Sequence, residues 1–295
     1  MVIATHDAAA VIDTCLSALE PQCHAPDTEV IVADSSSDGT ADAIRTRYPW
    51  VRLLHFDAPL TTPYLRGHGI ASSRGAVIAI LDPFSVAAPD WAERVRAAHA
   101  AVPNLAIGGA VGLHQPEVQT WSAWTIYFNE YGLFMPPIRT GPTWIVPGSN
   151  VTYKRTALFE GPVPRYPVFW KTFVNWEIEQ SGSPLWLADD VRVDLNKPIP
   201  FRDFLHTRYF HGRCFGGMRL ANAGLSTRML RAASTLAVPP LLAWRWTRGF
   251  WPKRRHRLRF ALTLPGQLAL FTVWAWGEAC GYLKGAGRSC DRLFY

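Results

Sequence analysis

Short apolar runs and helical stretches alternate from residue 1 to about 112, and no other feature of this chain restricts its fold as strongly. "MVIAT", "TEVIVAD", "VRLLHF" and "AVIAILD" read as strands. "DAAAVIDTCLSALEPQ", "ADAIRTRYP", "YLRGHGIASSRG" and "PDWAERVRAAHAAV" read as helices. Strand and helix alternating at this spacing predict parallel βαβ units, hence a doubly wound α/β sheet with helices on both faces. Ligands of such sheets bind beyond the carboxyl ends of the strands. The loops "THD", "ADSSSDGT" and "LDPFS" all lie at those ends, so they are expected to converge on one crevice.

From about 105 to 200 the pattern loosens. "LAIGGAVGL", "TWIVPGSNVTYKR" and "PLWLADDVRVDLN" suggest further strands, and "WKTFVNWEIEQSG" a helix closed by Gly182. This half is expected to complete the sheet and form the acceptor side of the crevice. The expected division is a first domain over 1–200 and a helical, membrane-attaching region over 201–295. In that tail "STLAVPPLLAW" is too short to span a bilayer, while the uncharged stretch from Phe260 to Gly277 is broken by Pro265 and Gly266. Between them lies "WRWTRGFWPKRRHRLR". Short apolar helices beside arginine and tryptophan suit a peripheral or re-entrant attachment to an anionic membrane surface, and a single span over 260–278 is the longer alternative. The competing possibility is a helical subdomain packed on the main domain.

The net charge of +7 favours anionic partners: nucleotide phosphates, acidic lipid or nucleic acid. The tail lacks a nucleic-acid readout motif and has apolar runs beside its basic residues, so lipid is expected there and nucleic acid is not. The 5 cysteines show no CxxC pair and no Cys/His cluster, which argues against structural zinc and for free thiols in a reducing compartment. The first fifteen residues have neither a basic stretch nor a long apolar one, so no secretory signal is expected there.

In "ADSSSDGT", Asp34 stands just past a strand and can accept a hydrogen bond from a base N–H or a ribose hydroxyl. The Ser/Gly loop leaves amides for a helix start that faces phosphate. The other possibility is plain capping of the next helix by Asp38 or Thr40. Asp82 ends the strand "AILD" and is followed by Pro83, Phe84 and Ser85.

These segments, in this order, resemble inverting family-2 glycosyltransferases of the GT-A fold. "VIATHDA" is similar to that family's "VIPTYNR", "ADSSSDGT" to "DDGSTDGT", "RGHG" to "ARNxG", "AILD" to "FLDxD" and "PGSNVTYKR" to "GxNxxxRR". The tail, with "RYFHGR" and "GEACGYLKG", resembles membrane-associated members acting on lipid-linked or surface glycans. The resemblance implies a nucleotide-diphosphate sugar as donor, held by Thr5, Asp34, Asp38, Arg66 and Asp82. Asp34 would meet the base, and Arg66 the base or diphosphate. Asp82, first in the D-x-D motif, would meet ribose or a magnesium or manganese ion. Gly148, Ser149 and Asn150 would line the sugar and acceptor pocket. His211 and Arg213 would close over the diphosphate, unless "HGR" is a capping or lipid-facing basic cluster.

Two positions depart from the family pattern. Phe84 stands where the second D-x-D acid belongs, which leaves a metal held mainly by substrate phosphates and water, or no metal at all. The base that takes the acceptor's proton sits in an acidic element opening the helix before Gly182, and here that position is Lys171, a poor base unless strongly desolvated. Glu177 and Glu179 lie about 9 to 12 Å further along the helix axis, and Asp189 and Asp190 are lesser candidates. Two functions follow. One is an enzyme moving a sugar onto a hydroxyl acceptor with inversion, at the cytoplasmic face of the membrane. The other is a degenerate relative that binds nucleotide sugar or a partner enzyme without turnover.

Overall fold

The computed structural model describes residues 1–23, 27–160 and 168–294. The chain divides into two compact units: Met1–His114 with Phe134–Lys197 and Phe294, and Gln115–Leu133 with Pro198–Leu293.

The first unit is built on the expected alternation: β1 (Val2–Thr5), α1 (Ile12–Leu19), β2 (Ile31–Asp34), α2 (Thr40–Arg47), β3 (Arg52–His55), α3 (Thr62–Ser72), β4 (Val77–Leu81), β5 (Ser85–Ala87), α4 (Trp91–Ala101) and β6 (Ala106–Leu113). The helix α5 (Trp121–Tyr131) belongs to the second unit. The first resumes with β7 (Gly141–Thr143), β8 (Asn150–Lys154), α6 (Arg155–Phe159), α7 (Lys171–Gln180) and β9 (Leu185–Leu195). Among the described residues nine strands form one sheet, ordered β3-β2-β1-β4-β8-β6-β9-β5 with β7 also paired to β9. The pairings run β1, β2, β3, β4, β6 and β9 one way and β5, β7 and β8 the other, so the sheet is mostly parallel.

Every residue of β1, β2 and β6 is buried, as continuous apolar strands covered on both faces must be. Leu65 of α3 packs on Ala4 and Ala33. Val174 and Ile178 of α7 pack in a second cluster with Ile78, Ile80, Val151 and Tyr153. β3 closes one edge with Arg52 and His55 at its two more exposed ends. The α/β class expected from the sequence is the one found.

The second unit is helical: α5, α8 (Phe201–Arg219), α9 (Leu225–Ser234), α10 (Val238–Phe250) and α11 (Arg257–Lys284). Phe250 and Phe260 stack at 4.3 Å and Phe128 stands edge-on to both, at 4.9 and 5.2 Å. Fully burying each such ring stabilises the unit by about 1.5–3 kcal/mol. Glycines let α8 and α11 cross at backbone contact. A Cβ on Gly212 would strike the Trp274 carbonyl, one on Gly216 would stand 2.5 Å from the Glu278 carbonyl, and ones on Gly277 and Gly281 would strike the Tyr209 and Arg213 carbonyls. Each helix thus presents a Gly-x-x-x-Gly face to the other, the arrangement that brings helix backbones closest.

Two expectations fail here. The apolar stretch is not interrupted at Pro265 and Gly266, because α11 runs through both as one 28-residue helix. Pro265 removes a helical hydrogen bond, a cost of about 3 kcal/mol. Packing offsets that cost, since Gly266 lies against Trp121 of α5, where a Cβ would stand 2.6 Å from the ring. The thiols are also not all free: Cys214 of α8 and Cys290 form a disulfide with Cα atoms 5.0 Å apart, while Cys15, Cys23 and Cys280 are unpaired. The two bonded cysteines are 76 residues apart, a pairing that only the helix crossing creates.

Candidate functional site

Parallel pairing sets Thr5 opposite Asp34, and Asp34 opposite His55, at the carboxyl edge of β1, β2 and β3. Asp34 is fully buried there. Its Oδ1 accepts hydrogen bonds from the Thr5 hydroxyl at 2.7 Å and the Ser36 hydroxyl at 2.5 Å, and its Oδ2 lies 2.7 Å from Nδ1 of His55. Three strand ends and the loop after β2 thus meet on one carboxylate, and a ligand reaching Asp34 replaces one of these donors. The first two loops also hold each other. The Asp7 amide donates to the Ser36 hydroxyl at 2.8 Å, and the Ser37 amide to the Asp7 carboxylate at 2.9 Å. Asp7 has φ of +48°, a left-handed conformation that aspartate tolerates better than most residues.

Asp82 follows β4, which pairs with β1 on the side away from β2, so it lies on the same edge of the sheet. It is 7% exposed, and its Oδ1 accepts from Arg66 of α3 at 2.5 Å. Pro83 and Phe84 form a turn closed by the Ser85 amide on the Asp82 carbonyl at 3.0 Å. The Phe84 side chain is buried, and the Lys197 ammonium stands 4.8 Å from its ring centroid. A directly held magnesium or manganese needs several oxygen donors. Here one carboxylate oxygen is occupied by a guanidinium and the second acid is a phenylalanine. Among the described residues no group of three or more His, Cys, Asp or Glu is placed to hold a metal. These side chains do not fit a directly coordinated divalent ion.

The other expected residues fall into different surroundings. Asp38 takes the backbone amides of Ala9 at 3.0 Å and Thr40 at 3.1 Å, together with the Thr40 hydroxyl. These bonds pull its carboxylate below the usual pKa range against the opposing effect of burial. It braces the first loop against the start of α2, which is the capping alternative. The Asn150 side chain is fully buried, with its amide hydrogens on the Ala110 and Val191 carbonyls, both at 2.9 Å, and its oxygen on the Trp91 indole at 3.0 Å. That side chain ties strands together. Ser149 is fully buried with its hydroxyl unpaired, and Gly148 precedes it half-buried. Lys171 opens α7, and its ammonium is 3.5 Å from the Val146 carbonyl. Glu177 and Glu179 lie about two turns along the same helix, half-buried. Asp189 accepts from the Ile138 amide at 2.7 Å, and Asp190 is 3.8 Å from Arg94. His211 and Arg213 lie on α8 of the second unit, where Arg213 donates to the Gly285 carbonyl at 3.4 Å.

The sequence matches the profile described as "Glycosyl transferase family 2" over residues 1–160. The chain belongs to that family. Its fold is similar to the mannosyltransferase PcManGT from Pyrobaculum calidifontis in complex with GDP-Man and Mn2+, with TM-score 0.55, 19% identity, and 99% of this chain and 86% of that one covered. It is also similar to S. aureus TarS 1–349, with TM-score 0.51, 12% identity, and coverage of 99% and 82%. The same TarS fragment in complex with UDP-GlcNAc gives TM-score 0.51, 13% identity and the same coverage. At these identities the likeness is one of fold, the GT-A fold. No curated protein sequence matches the chain.

Two residues that sequence reasoning did not single out stand beside the candidate residues: His55 at Asp34 and Lys197 at Phe84. His55 ends the strand "VRLLHF", and the rule that strand ends line the crevice applies to it as it does to Asp34. Lys197 follows β9, where the Asn196 amide donates to the Phe84 carbonyl at 2.8 Å. No local motif marks it, because its place depends on a pairing between strands about a hundred residues apart.

Proposed function

We propose that this chain moves a sugar from a nucleotide-diphosphate sugar to a hydroxyl group of a lipid-linked or surface glycan, with inversion at the anomeric carbon. The supporting observation is the placement of Thr5, Asp34 and His55 beside Arg66 and Asp82, at the carboxyl ends of adjacent parallel strands in a family-2 chain. Asp34 and Thr5 serve the base and ribose, and Arg66 the diphosphate end. PcManGT with GDP-Man and TarS with UDP-GlcNAc share this fold, which supports a nucleotide sugar as donor. In the transfer the acceptor oxygen attacks the anomeric carbon opposite the diphosphate. The sugar–phosphate C–O bond breaks, its electron pair leaves with the nucleoside diphosphate, and the acceptor proton passes to a base. Calorimetry with UDP, GDP and dTDP tests the pocket. At least one is expected to bind, and Asp34→Ala, checked for folding, is expected to abolish that binding. Absence of binding by all three, or wild-type affinity in the variant, overturns the proposal.

Lys171 at the base position favours a second reading, a relative that binds nucleotide sugar or a partner enzyme without turnover. Release of nucleoside diphosphate from UDP-GlcNAc or GDP-Man across an acceptor panel separates the two. Binding without release supports the second.

We also propose that the second unit attaches to the cytoplasmic face of an anionic membrane. α11 is long and apolar enough to cross a bilayer, with mean hydropathy 1.2 in its best 18-residue window, yet 39% of that window is buried inside the protein. Leu230, Leu236, Trp244, Leu258 and Trp276 are exposed by more than half. Arg248 lies over Trp244 at 5.5 Å and Arg257 over Trp251 at 4.9 Å. Tryptophan and arginine side by side suit the headgroup zone and favour a peripheral or re-entrant seat.

A further inference from the structure

The loops after β1 and β2 are fastened to each other in step. The Thr5 hydroxyl donates to Asp34 at 2.7 Å, Nδ1 of His6 lies 3.0 Å from the Ser35 carbonyl, and the Asp7 amide donates to the Ser36 hydroxyl at 2.8 Å. The His6 ring is therefore fixed next to Asp34, the carboxylate proposed to meet the base, and its side chain is 21% exposed. A flat ring held in such a place is a platform for stacking, which suits every nucleobase because each has a π face.

Part of that platform is already covered. The Phe294 ring lies on His6 with centroids 4.3 Å apart and planes tilted by 30°. Phe294 belongs to the same unit as β1 and is half-buried. At that separation the two rings touch, so a base cannot slide between them. A base and Phe294 compete for this face of His6. The competitor is also tethered, because Leu293, the residue before it, is fully buried and keeps the ring within reach.

We propose that Phe294 occupies the place where the donor's base stacks on His6, and that donor binding turns the Phe294 ring out. This rests on the reading that the chain binds a nucleotide-diphosphate sugar at Asp34. The contact is autoinhibitory, since the site binds only in the fraction of time that the face is open, and apparent affinity falls by that fraction. It also favours complete donors. A base replaces one stack by another, whereas a sugar phosphate without a base gains nothing by displacing Phe294.

The test is calorimetry of the full chain with UDP, GDP and dTDP, in wild type and in Phe294→Ala checked for folding. For whichever nucleotide binds, the variant is expected to bind about three- to tenfold more tightly, the range that a single aromatic pair supplies. A second measurement follows the ring itself. With 4-fluorophenylalanine at position 294, saturation with that nucleotide is expected to move the fluorine signal towards the position of the free amino acid in water. Equal or weaker affinity in a folded Phe294→Ala overturns the proposal, and weaker affinity would make Phe294 a wall of the pocket instead. A fluorine signal unmoved at saturation overturns it as well. If Phe294→Ala does not fold, the fluorine measurement decides alone. Nucleotide binding that ignores residue 294 sinks the displacement while sparing the nucleotide reading, whereas no binding in wild type or variant sinks both.

Discussion

Replacing Arg66 by methionine is the sharpest test of how the carboxyl edge of the sheet is held. The guanidinium and the Asp82 carboxylate are 2.5 Å apart, with side chains 11% and 9% exposed. Removing one partner of such a pair leaves a charge in surroundings that solvate it poorly, at a cost of about 3–5 kcal/mol. Methionine retains much of the aliphatic volume, so lost packing adds little. Asp82→Asn alone takes the carboxylate from the guanidinium instead, and a combined Arg66→Met and Asp82→Asn variant removes both charges. The combined loss is expected to be at least about 2 kcal/mol smaller than the sum of the single losses, because contacting residues do not add. The assay is urea unfolding followed by hydrogen exchange in peptides from β1 and β4, which reports on the sheet without signal from the helical unit. A single-variant loss below about 1 kcal/mol, or strict additivity in the combined variant, would show that water reaches the pair and that Asp82 is free to take other partners.

Three further outcomes follow from features away from the site. His99 of α4 is buried against the Thr152 hydroxyl at 2.8 Å, and burial, then Lys154, lowers its pKa to about 4. The unfolded chain binds that proton near pH 6.5, so the stabilisation is complete above pH 6.5 and lost as pH falls to about 4, roughly 3 kcal/mol in all. Urea titrations at both ends are expected to show a smaller loss in His99→Gln, and an equal loss in variant and wild type refutes the assignment. At the crossing of α8 and α11, Gly277→Ala forces a methyl group into the Tyr209 carbonyl and is expected to cost about 1–3 kcal/mol. Gly224→Ala, with open space around it, serves as the control, and equal melting temperatures would refute the close crossing. Flotation of the full chain with vesicles containing anionic lipid tests the membrane seat. Flotation is expected, weakening at high salt and without anionic lipid, and an unaggregated chain that stays at the bottom would mark the second unit as a soluble helical bundle.

Legibility in the sequence followed from how each segment is buried. β1, β2 and β4 were readable because strands covered on both faces leave uninterrupted apolar runs. α5 was missed because Trp124 to Asn129 are all buried, so no polar face marks the helical period. The misjudged break at Pro265 has a similar origin: a local cost is visible in the sequence, and the helix packing that outweighs it is not. The disulfide depended on the crossing that brings Cys214 and Cys290 together, and spacing alone does not specify connectivity. Within the candidate site, Asp34 and Asp82 could be found because each ends or follows a strand. His55 and Lys197 owe their places to register. Asp38 and Asn150 fit a family pattern by position, yet their polar atoms are engaged in bracing loops and strands.

Phe84 and Lys171 look like the same loss of an acid, but they bear on different steps. At residue 84 the side chain is buried, and the Lys197 ammonium stands 4.8 Å from its ring centroid. The Lys171 ammonium is 3.5 Å from the Val146 carbonyl, and Glu177 and Glu179 stand about two helical turns further along α7. On the proposed reading, donor binding and proton removal from the acceptor fall to separate side chains. A Lys171→Glu variant should therefore leave nucleotide affinity within about threefold of wild type while raising transfer, if proton removal limits turnover. Nucleotide binding with no transfer on any acceptor, in wild type and variant alike, would place the chain among the non-catalytic relatives.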